Sequence, residues 1–209
     1  MGLTVIEYVI PQSPDDRVLK KAYSLLDKDQ IVVFPTDTNW VMTARFNSKK
    51  AIDQLYKIKG EQKSHHFSLL CSDLSMASEV AVITDASFRF MKSLIPGHFT
   101  FILEAQRKMT KFLQASKTDK EIGVRFPPNN LTKTLLAGYG HALLSTNLSP
   151  KMLGLDEGFE PYGHLIDEQF GHAVGMIIDP GEYDFSGQST VVSLVGDEVE
   201  ILRQGSGIL

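Results

Sequence analysis

The segment IVVFPTDTNWVM at residues 31–42 constrains the fold more than any other part of the chain. An apolar run rich in β-branched residues stops at Pro35 and is followed by Thr36, Asp37 and Thr38. This pattern predicts a buried strand over residues 31–34 that ends in hydroxyl and carboxylate side chains. Because open α/β folds bind their ligands at the ends of sheet strands, the sequence predicts a polar ligand site at a sheet edge here.

Length and composition indicate one globular unit. A chain of 209 residues with 43% hydrophobic content can fill a substantial core, so residues 1–209 are expected to form a single domain. The N-terminus lacks a secretory signal pattern and no apolar run reaches bilayer length, which predicts a cytoplasmic protein with no membrane partner. Cys71, the single cysteine, lies in the apolar run FSLLC and is interpreted as a buried structural thiol.

The charge of the chain bears on nucleic-acid binding. A net charge of −4 disfavours a protein that wraps around nucleic acid, which normally needs a basic face. One local basic patch is present, with Lys57, Lys59 and Lys63 followed by His65 and His66. The patch is interpreted either as an RNA contact or as a solvated helix end, and the sequence leaves both open.

Strand and helix patterns alternate along the chain, which favours an α/β fold. Helices are predicted after Ser13 and Pro14, from Ser48 to Gly60, over 73–80 and 85–94, and from Asn130. The stretch 149–163 has little periodicity and is predicted to be a surface loop. A hairpin through Gly196 and Asp197 would make the sheet mixed. Strands are predicted over residues 4–10, 31–34, 67–71, 99–105, 122–126, 142–146, 174–180, 189–194 and 198–203.

Polar residues interrupt or follow several of these strands. If the strand ends converge, they form a concave site with two guanidinium groups, hydroxyls and a carboxamide. Arginine matches phosphate or carboxylate geometry, and Ser and Asn can orient a ribose or a base. Each residue alone is more typical of a cap or turn. The set comprises Thr36, Asp37, Thr38, Arg125, Ser145, Thr146, Asn147, Ser189, Thr190 and Arg203.

Several familiar sites are excluded by spacing. There is no Walker-type glycine loop, and Gly138-Tyr-Gly140 lacks the third glycine of a dinucleotide motif. The histidines form no HExxH motif, and a single cysteine disfavours a structural zinc site, so no metal-binding side chains are assigned. The absence of a Gly-x-Ser-x-Gly elbow disfavours a serine hydrolase.

A series of segments, in order along most of the chain, resembles the YrdC-like threonylcarbamoyl-adenylate synthase superfamily, and most of all its YciO branch. The resemblance implies a single-domain open twisted mixed sheet with flanking helices and a concave ligand face. The segments that carry it are FPTDTNWVM, KIKGEQKSHHFSLLCSDL, IPGHFTFIL, GVRFP, LLSTNLS, STVVSL and EILRQG.

The resemblance also implies a reaction. The family forms a threonine carbamate from threonine and bicarbonate, and this carbamate attacks the α-phosphate of ATP, often with Mg²⁺. Pyrophosphate leaves, and the threonylcarbamoyl-adenylate serves the modification of adenosine 37 in tRNA. By motif position, Lys59 and Arg125 are the implied catalytic residues. The implied nucleotide ligands are Ser145, Asn147, Arg203 and Lys59, and the implied substrate ligands are Thr38, Ser189 and His65.

The chain departs from the family pattern next to the implied catalytic lysine. The family's Lys-x-Arg reads Lys59-Gly60-Glu61, and the proline that normally follows is Gln62. A carboxylate in place of a guanidinium removes a bidentate donor and repels a triphosphate, so weak synthase activity is expected. The later Lys-Pro of the segment reads His65-His66, as in the YciO branch.

Two alternatives to the synthase stay open. The family's basic surface is linked to double-stranded RNA, so the chain could bind duplex RNA or tRNA without catalysis, through a patch of Lys57, Lys59 and Lys63 with Arg125. A third interpretation is an adenylate hydrolase with His65 as the base, although the sequence identifies no water-activating pair.

Overall fold

A single sheet organises the computed structural model, which describes residues 4–60, 67–107, 109, 120–156, 159, 161–196 and 198–209. Within those ranges the sheet has ten strands, in the spatial order β1-β8-β2-β3-β7-β4-β6-β5-β9-β10. The strands are β1 (Val5–Tyr8), β2 (Val32–Pro35), β3 (Trp40–Arg45), β4 (Ser68–Leu70), β5 (Phe99–Glu104), β6 (Glu121–Arg125), β7 (Leu143–Asn147), β8 (Met176–Asp179), β9 (Thr190–Ser193) and β10 (Glu200–Arg203).

The sheet is mixed, as predicted. Parallel pairs join β1 to β8, β8 to β2, β4 to β6 and β5 to β9, and the remaining neighbours are antiparallel. The predicted antiparallel pairing of the last two strands is present, although Asp197 lies outside the described residues. The prediction of an α/β fold with an open mixed sheet is therefore confirmed.

Strand β3 was not predicted from the sequence. It pairs antiparallel with β2, and the backbone N–H of Thr36 donates to the carbonyl oxygen of Asn39 at 2.8 Å. Thr36, Asp37 and Thr38 therefore form the turn of a β-hairpin. As predicted, these polar residues follow the end of a buried strand, although β2 and β3 are flanked by β8 and β7 in the middle of the sheet.

Helices flank both faces of the sheet, and their ends follow local capping chemistry. Ser48 caps α2 by accepting from the N–H of Ala51, and Gly60 ends it in the left-handed conformation, as predicted. Asp15, and not the predicted Ser13, caps α1. The helices are α1 (Asp16–Asp27), α2 (Lys49–Lys59), α3 (Leu74–Ser78), α4 (Asp85–Lys92), α5 (Asn130–Tyr139) and α6 (Gly163–Phe170).

The predicted loop at 149–163 contains a short 3₁₀ helix, Pro150–Leu153, and runs into α6, which was not predicted. Helix α6 gives weak sequence signals, because its large buried side chains are Ile166 and Phe170 and its N-cap residue, Tyr162, makes no side-chain cap hydrogen bond. None of the helices that the structure describes is long and apolar enough to cross a membrane.

Two apolar clusters lie on opposite faces of the sheet, and the site lies where the second of them ends. On one face, Leu69 and Val124 pack with the residues of α2, α3 and α4. On the other, α1 and α5 pack against Phe34, Leu70 and Leu143. Because side chains alternate along a strand, this second face of β4, β6 and β5 also carries Ser68, Gly123, Arg125, Thr100 and Ile102. The apolar core on this face therefore gives way to a polar surface.

Candidate functional site

A recess of about 250 Å³ lies on this polar surface, between the strands β7, β4, β6, β5, β9 and β10 and the end of α2. We refer to it as the sheet cleft. Its lining residues are Lys59, Phe67, Ser68, Thr100, Ile102, Gly123, Arg125, Ser145, Thr146, Asn147, Ser189, Val191 and Arg203.

Most of the predicted site residues meet in the sheet cleft. Thr38 does not line it, and His65 lies outside the described residues, as do Glu61 and His66. Those that line it are Lys59, Arg125, Ser145, Asn147, Ser189 and Arg203.

Strand register forms the floor of the sheet cleft. Ser145 pairs with Ser68, Ser68 with Gly123, and Gly123 with Ile102, so these residues form a row across neighbouring strands. A Cβ atom at Gly123 would lie 3.1 Å from the Ser68 hydroxyl and 3.2 Å from Cγ2 of Thr100. The missing side chain at Gly123 therefore keeps the floor of the recess open.

Arg125 ends β6 and is held by the turn between β2 and β3. Its Nη2 donates to one carboxylate oxygen of Asp37 at 3.0 Å, and both side chains are buried. Nδ1 of His98 lies 2.7 Å from the other oxygen of Asp37. Burial lowers the pKa of Arg125, the Asp37 charge opposes that shift, and the nearby Arg203 charge adds to it. Asp37 is thus the counter-ion of a buried guanidinium.

Arg203 lies on β10 and binds the start of β9. Its Nε and Nη2 donate to the backbone carbonyl oxygen of Ser189 at 3.2 and 2.8 Å, and Nη2 also lies 3.2 Å from the Ser189 hydroxyl. That hydroxyl is 2.8 Å from the hydroxyl of Thr100. Both acceptors are neutral, so these bonds hold the Arg203 guanidinium in place without neutralising its positive charge.

Lys59 lies in the last turn of α2, where a cation favours the negative end of the helix dipole. Its Nζ is 5.9 Å from the centroid of the Phe67 ring. On β7, the Ser145 hydroxyl donates to the backbone carbonyl of Ser68 at 3.0 Å, while Asn147 is exposed. The lysine and the carboxamide are thus placed at the cleft by a helix end and a strand end.

Thr38 stays within the hairpin turn. Its backbone N–H donates to the Thr36 hydroxyl at 3.3 Å, and the two hydroxyl oxygens are 3.4 Å apart. It adjoins Asp37, the partner of Arg125, so it is linked to the sheet cleft through its neighbour. Its predicted contact with an amino acid stays a prediction.

The charge of the lining predicts the type of ligand. Lys59, Arg125 and Arg203 are cationic, and the described lining residues include no carboxylate. Hydroxyls and one carboxamide supply neutral hydrogen-bonding groups. This combination suits an anion that also carries hydroxyl or base groups, such as a nucleotide.

A metal ion finds no ready set of ligands. Among the described residues no group of three or more His, Cys, Asp or Glu side chains could hold one. A larger surface groove of about 960 Å³ lies between α1, α3 and α5. It mixes acidic Asp73 and Glu79 with Lys20 and Lys133, so its charge favours no single ligand class, and the smaller sheet cleft is the better candidate.

The sequence did not point to Ser68, Thr100 or His98, and it placed Asp37 among the polar residues of the site without identifying Arg125 as its partner. His98 lies inside the segment IPGHFTFIL, but its partner Asp37 is distant along the chain. A signal for the pair could have come only from knowing that the hairpin turn lies beside the start of β5.

Comparisons with known proteins give consistent results. The Sua5_yciO_yrdC family model, described as "Telomere recombination", matches residues 24–205. An uncharacterized protein of Haemophilus influenzae is 34% identical over 96% of this chain and 95% of its own length. YciO of Escherichia coli is 32% identical over 96% of this chain and 95% of its own length.

Solved structures and more distant relatives extend the likeness. The crystal structure of E. coli YciO matches with a TM-score of 0.86 and 30% identity, over 99% of this chain and 98% of that one. The threonylcarbamoyl-AMP synthase of Bacillus subtilis is 26% identical over 92% of this chain and 55% of its own length. Pyrococcus abyssi Sua5 complexed with L-threonine shares the fold, with a TM-score of 0.81 and 20% identity, over 97% of this chain and 58% of that one.

Proposed function

Since the chain belongs to the Sua5/YciO/YrdC family, we propose that it is an ATP-dependent enzyme that forms a carbamoyl-adenylate, with threonine and bicarbonate as co-substrates. Distant homologues are threonylcarbamoyl-AMP synthases, and a Sua5 homologue has been solved with L-threonine. The product would be threonylcarbamoyl-AMP, which serves the modification of adenosine 37 in tRNA.

One observation carries the proposal, namely the meeting of Lys59, Arg125 and Arg203 with Ser145 and Asn147 in one cleft. A nucleotide needs cations for its phosphates and neutral polar groups for its ribose and base, and the sheet cleft supplies both. The chain brings these side chains together from α2, β6, β7 and β10.

The chemistry needs no enzyme nucleophile. The threonine amine adds to the carbon of bicarbonate to give a carbamate with loss of water, and a carbamate oxygen then attacks the α-phosphorus of ATP. The bond from that phosphorus to the bridging oxygen breaks, and pyrophosphate leaves. Charge that develops on the phosphoryl oxygens is stabilised by Arg125, Arg203 and Lys59, while Ser145 and Asn147 hold the nucleotide in place.

Mg²⁺ is a proposed companion of ATP and would neutralise phosphate charge. The sheet cleft does not fit a metal site of its own, because its described lining has hydroxyl oxygens and no carboxylate. A magnesium ion would therefore arrive with the nucleotide and be bound mainly by phosphate oxygens and water. No step of the chemistry above depends on a protein ligand to that ion.

The test is a product assay with ATP, threonine and bicarbonate. We expect threonylcarbamoyl-AMP and pyrophosphate in equal amounts, detected by chromatography, and only when all three substrates are present. Glycine in place of threonine and omission of bicarbonate are the controls. Calorimetry that finds no ATP binding, with or without Mg²⁺, would refute the proposal.

Duplex RNA or tRNA binding is the second candidate, and the observation that favours it is the basic end of α2. Lys57 and Lys59 lie in its last turn, and Lys57 is exposed. Arg125 cannot contribute an outer phosphate contact, because it is 4% exposed and bonded to Asp37. Replacing Lys57 and Lys63 with Glu should abolish duplex RNA binding at low salt if this surface binds RNA. Equal binding by parent and variant would refute it.

The hydrolase interpretation gains one feature from the structure. The sequence identified no water-activating pair, whereas Asp37 and His98 form a carboxylate–imidazole pair at 2.7 Å. His98 does not line the sheet cleft, and Asp37 is also engaged by Arg125. Release of AMP from ATP without threonine would favour the hydrolase over the synthase.

A further inference from the structure

The carboxylate of Asp37 connects three separate parts of the chain. It lies in the turn after β2, and its two oxygens contact Arg125 at the end of β6 and His98 just before β5. Its side chain is 3% exposed, so both contacts are shielded from water. The backbone carbonyl of Asp37 also accepts from the N–H of Ser186 at 2.8 Å, which fixes the turn itself.

This geometry determines the position of the Arg125 guanidinium. A charge-assisted bond to a carboxylate that is itself held by a second donor leaves little rotational freedom. Because a carboxylate only accepts, Nδ1 of His98 is the donor, and Nε2 is the nitrogen that can gain or lose a proton. The side chain of His98 is 33% exposed, so its proton can exchange with solvent.

An anionic ligand changes the charge balance of this group. In the free protein Asp37 compensates Arg125, whose charged form is disfavoured by burial and by Arg203. A phosphate that approaches Arg125 adds negative charge beside the buried carboxylate. A proton on His98 would offset that charge through the second oxygen of Asp37.

We propose that Asp37 and His98 are positioning residues for Arg125, and that His98 takes up a proton from solvent when an anionic nucleotide binds in the sheet cleft. The inference rests on the proposed function in taking the ligand to be a nucleotide. It goes beyond that function because it assigns roles to two residues outside the cleft lining and couples binding to pH.

The other charged and titratable groups around the pair are Arg125, Arg203 and Tyr183. Arginine side chains are not deprotonated in proteins, so Arg125 is not the group that changes charge. Burial raises the pKa of Tyr183, before β9; a hydrogen bond from Asn129 opposes that shift, and the Asp37 charge adds to it. The contact from β9 is the backbone N–H of Thr190, which donates to the carbonyl of His98 at 2.9 Å. Histidine is the residue type whose charge changes near neutral pH, so the proposal assigns the pH dependence of binding to His98.

The test compares ATP affinity of the parent, His98→Asn and His98→Ala by calorimetry at pH 6 and pH 8. Asparagine keeps a donor near the Nδ1 position and cannot be protonated, so it separates the hydrogen bond from the charge. His141→Asn, at an exposed histidine, is the matched control. Because protonation of ATP itself affects every protein equally, comparing variants at the same pH removes that contribution. Melting temperatures establish that each variant is folded.

At pH 8 the parent and His98→Asn should bind ATP within about twofold, and His98→Ala should bind roughly fivefold more weakly, since it leaves Asp37 without its second donor. At pH 6 the parent should bind at least about threefold more tightly than His98→Asn, and His141→Asn should follow the parent. Asp37→Asn, where folded, should abolish this difference.

Parallel pH profiles of the parent and His98→Asn would overturn the proposal, as would equal affinities of His98→Asn and His98→Ala at pH 8. Failure of ATP to bind the parent at any pH would refute the proposed function instead. The positioning proposal is then decided by the same variants with inorganic pyrophosphate, and absence of pyrophosphate binding would overturn it too.

Discussion

Arg203 donates two hydrogen bonds, from Nε and Nη2, to the single backbone carbonyl oxygen of Ser189. A backbone acceptor has no charge to neutralise the guanidinium, so the contact fixes its orientation and leaves its positive charge for a ligand. On the other side of β9, the Ser189 hydroxyl lies 2.8 Å from the hydroxyl of Thr100, which ties the wall of the sheet cleft to β5.

Arg203→Lys should weaken ATP binding by roughly tenfold, about 1.4 kcal/mol. An ammonium group cannot make both hydrogen bonds to the Ser189 carbonyl and still present a planar pair of donors to a phosphate. Calorimetry measures the change. Arg89→Lys, on the exposed surface of α4, is the matched control and should leave the affinity as it is. Retained affinity in Arg203→Lys would show that only the charge matters at this position.

Ser145→Ala combined with Asn147→Ala should weaken nucleotide binding by at least roughly tenfold, since each lost hydrogen bond contributes about 1 kcal/mol. Ser145 also donates to Ser68, so a melting curve must accompany the titration. Ser24→Ala, on the exposed side of α1, controls for loss of a hydroxyl. Unchanged affinity in a folded double variant would remove β7 from the nucleotide site.

Glu61→Arg should raise ATP affinity or the yield of threonylcarbamoyl-AMP, because it restores the guanidinium of the family's Lys-x-Arg pattern beside Lys59. Glu61 lies outside the described residues, and the prediction comes from the sequence alone. Glu61→Gln, which removes the carboxylate without adding a cation, separates repulsion from attraction. A variant no better than the parent would mean that the divergence lies elsewhere, for instance at His65 and His66.

Gly205→Ala should lower the free energy of unfolding by about 1–3 kcal/mol and also weaken ATP binding. A Cβ at this position would lie 2.2 Å from the carbonyl oxygen of Gln188 and 2.6 Å from the carbonyl carbon of Ser189, and neither backbone atom can move freely. Urea unfolding and calorimetry measure the two effects.

Gly181→Ala is the comparison for that variant. Gly181 has a φ of +79°, and apart from its chain neighbours no atom of the described residues lies within 4 Å of the position that a Cβ would take there, so only backbone strain of roughly 1 kcal/mol is expected. Its ATP affinity should stay within about twofold of the parent. Equal loss of affinity in both variants would contradict the role given to the Gly205 contact.

Cys71 should resist thiol reagents in the folded protein at pH 8. The residue is 1% exposed, and burial, with smaller contributions from Asp73 and Glu79, raises the pKa of its thiol well above the ordinary range. Reaction with a chromogenic disulfide should be slow in native buffer and complete within minutes in concentrated urea. Ser24→Cys provides an exposed thiol that should react at once in the same native sample. Rapid native labelling of the parent would show that the region around β4 opens readily.

Much of the fold was predictable because capping and apolar periodicity are local. Ser48 and Gly60 delimit α2 by hydrogen bonds and backbone conformation that short segments encode. Strand β3 escaped prediction because Trp40 to Arg45 follows a polar turn and mixes apolar residues with Thr43, whose hydroxyl donates to the backbone carbonyl of Val32 across the hairpin. The pairing of β3 with β2 and β7 depends on the folded structure and is not encoded in the local sequence.

The sequence could predict which residues line the candidate site, but not which other residues hold them in place. Strand-end hydroxyls and arginines identified Arg125, Ser145 and Arg203 as candidates, and they do share one cleft. Their partners lie elsewhere in the chain, so the sequence could not show that Asp37 engages Arg125. For the same reason the sequence could not show that the Arg125 guanidinium is buried and therefore withdrawn from any surface patch.

Strand β10 ends the sheet, and in the part of the chain that the structure describes it pairs with β9 alone. Its four residues are exposed, and its ladder is irregular between Ile201 and Arg203. Edge strands with one neighbour separate from a sheet at a lower free-energy cost than its centre, so the amides of β10 should exchange with deuterium faster than those of β6. A bound nucleotide that contacts both Arg203 and Arg125 would connect the edge strand β10 to the central strand β6. It would therefore slow amide exchange most in β10, the strand that contributes least to the core.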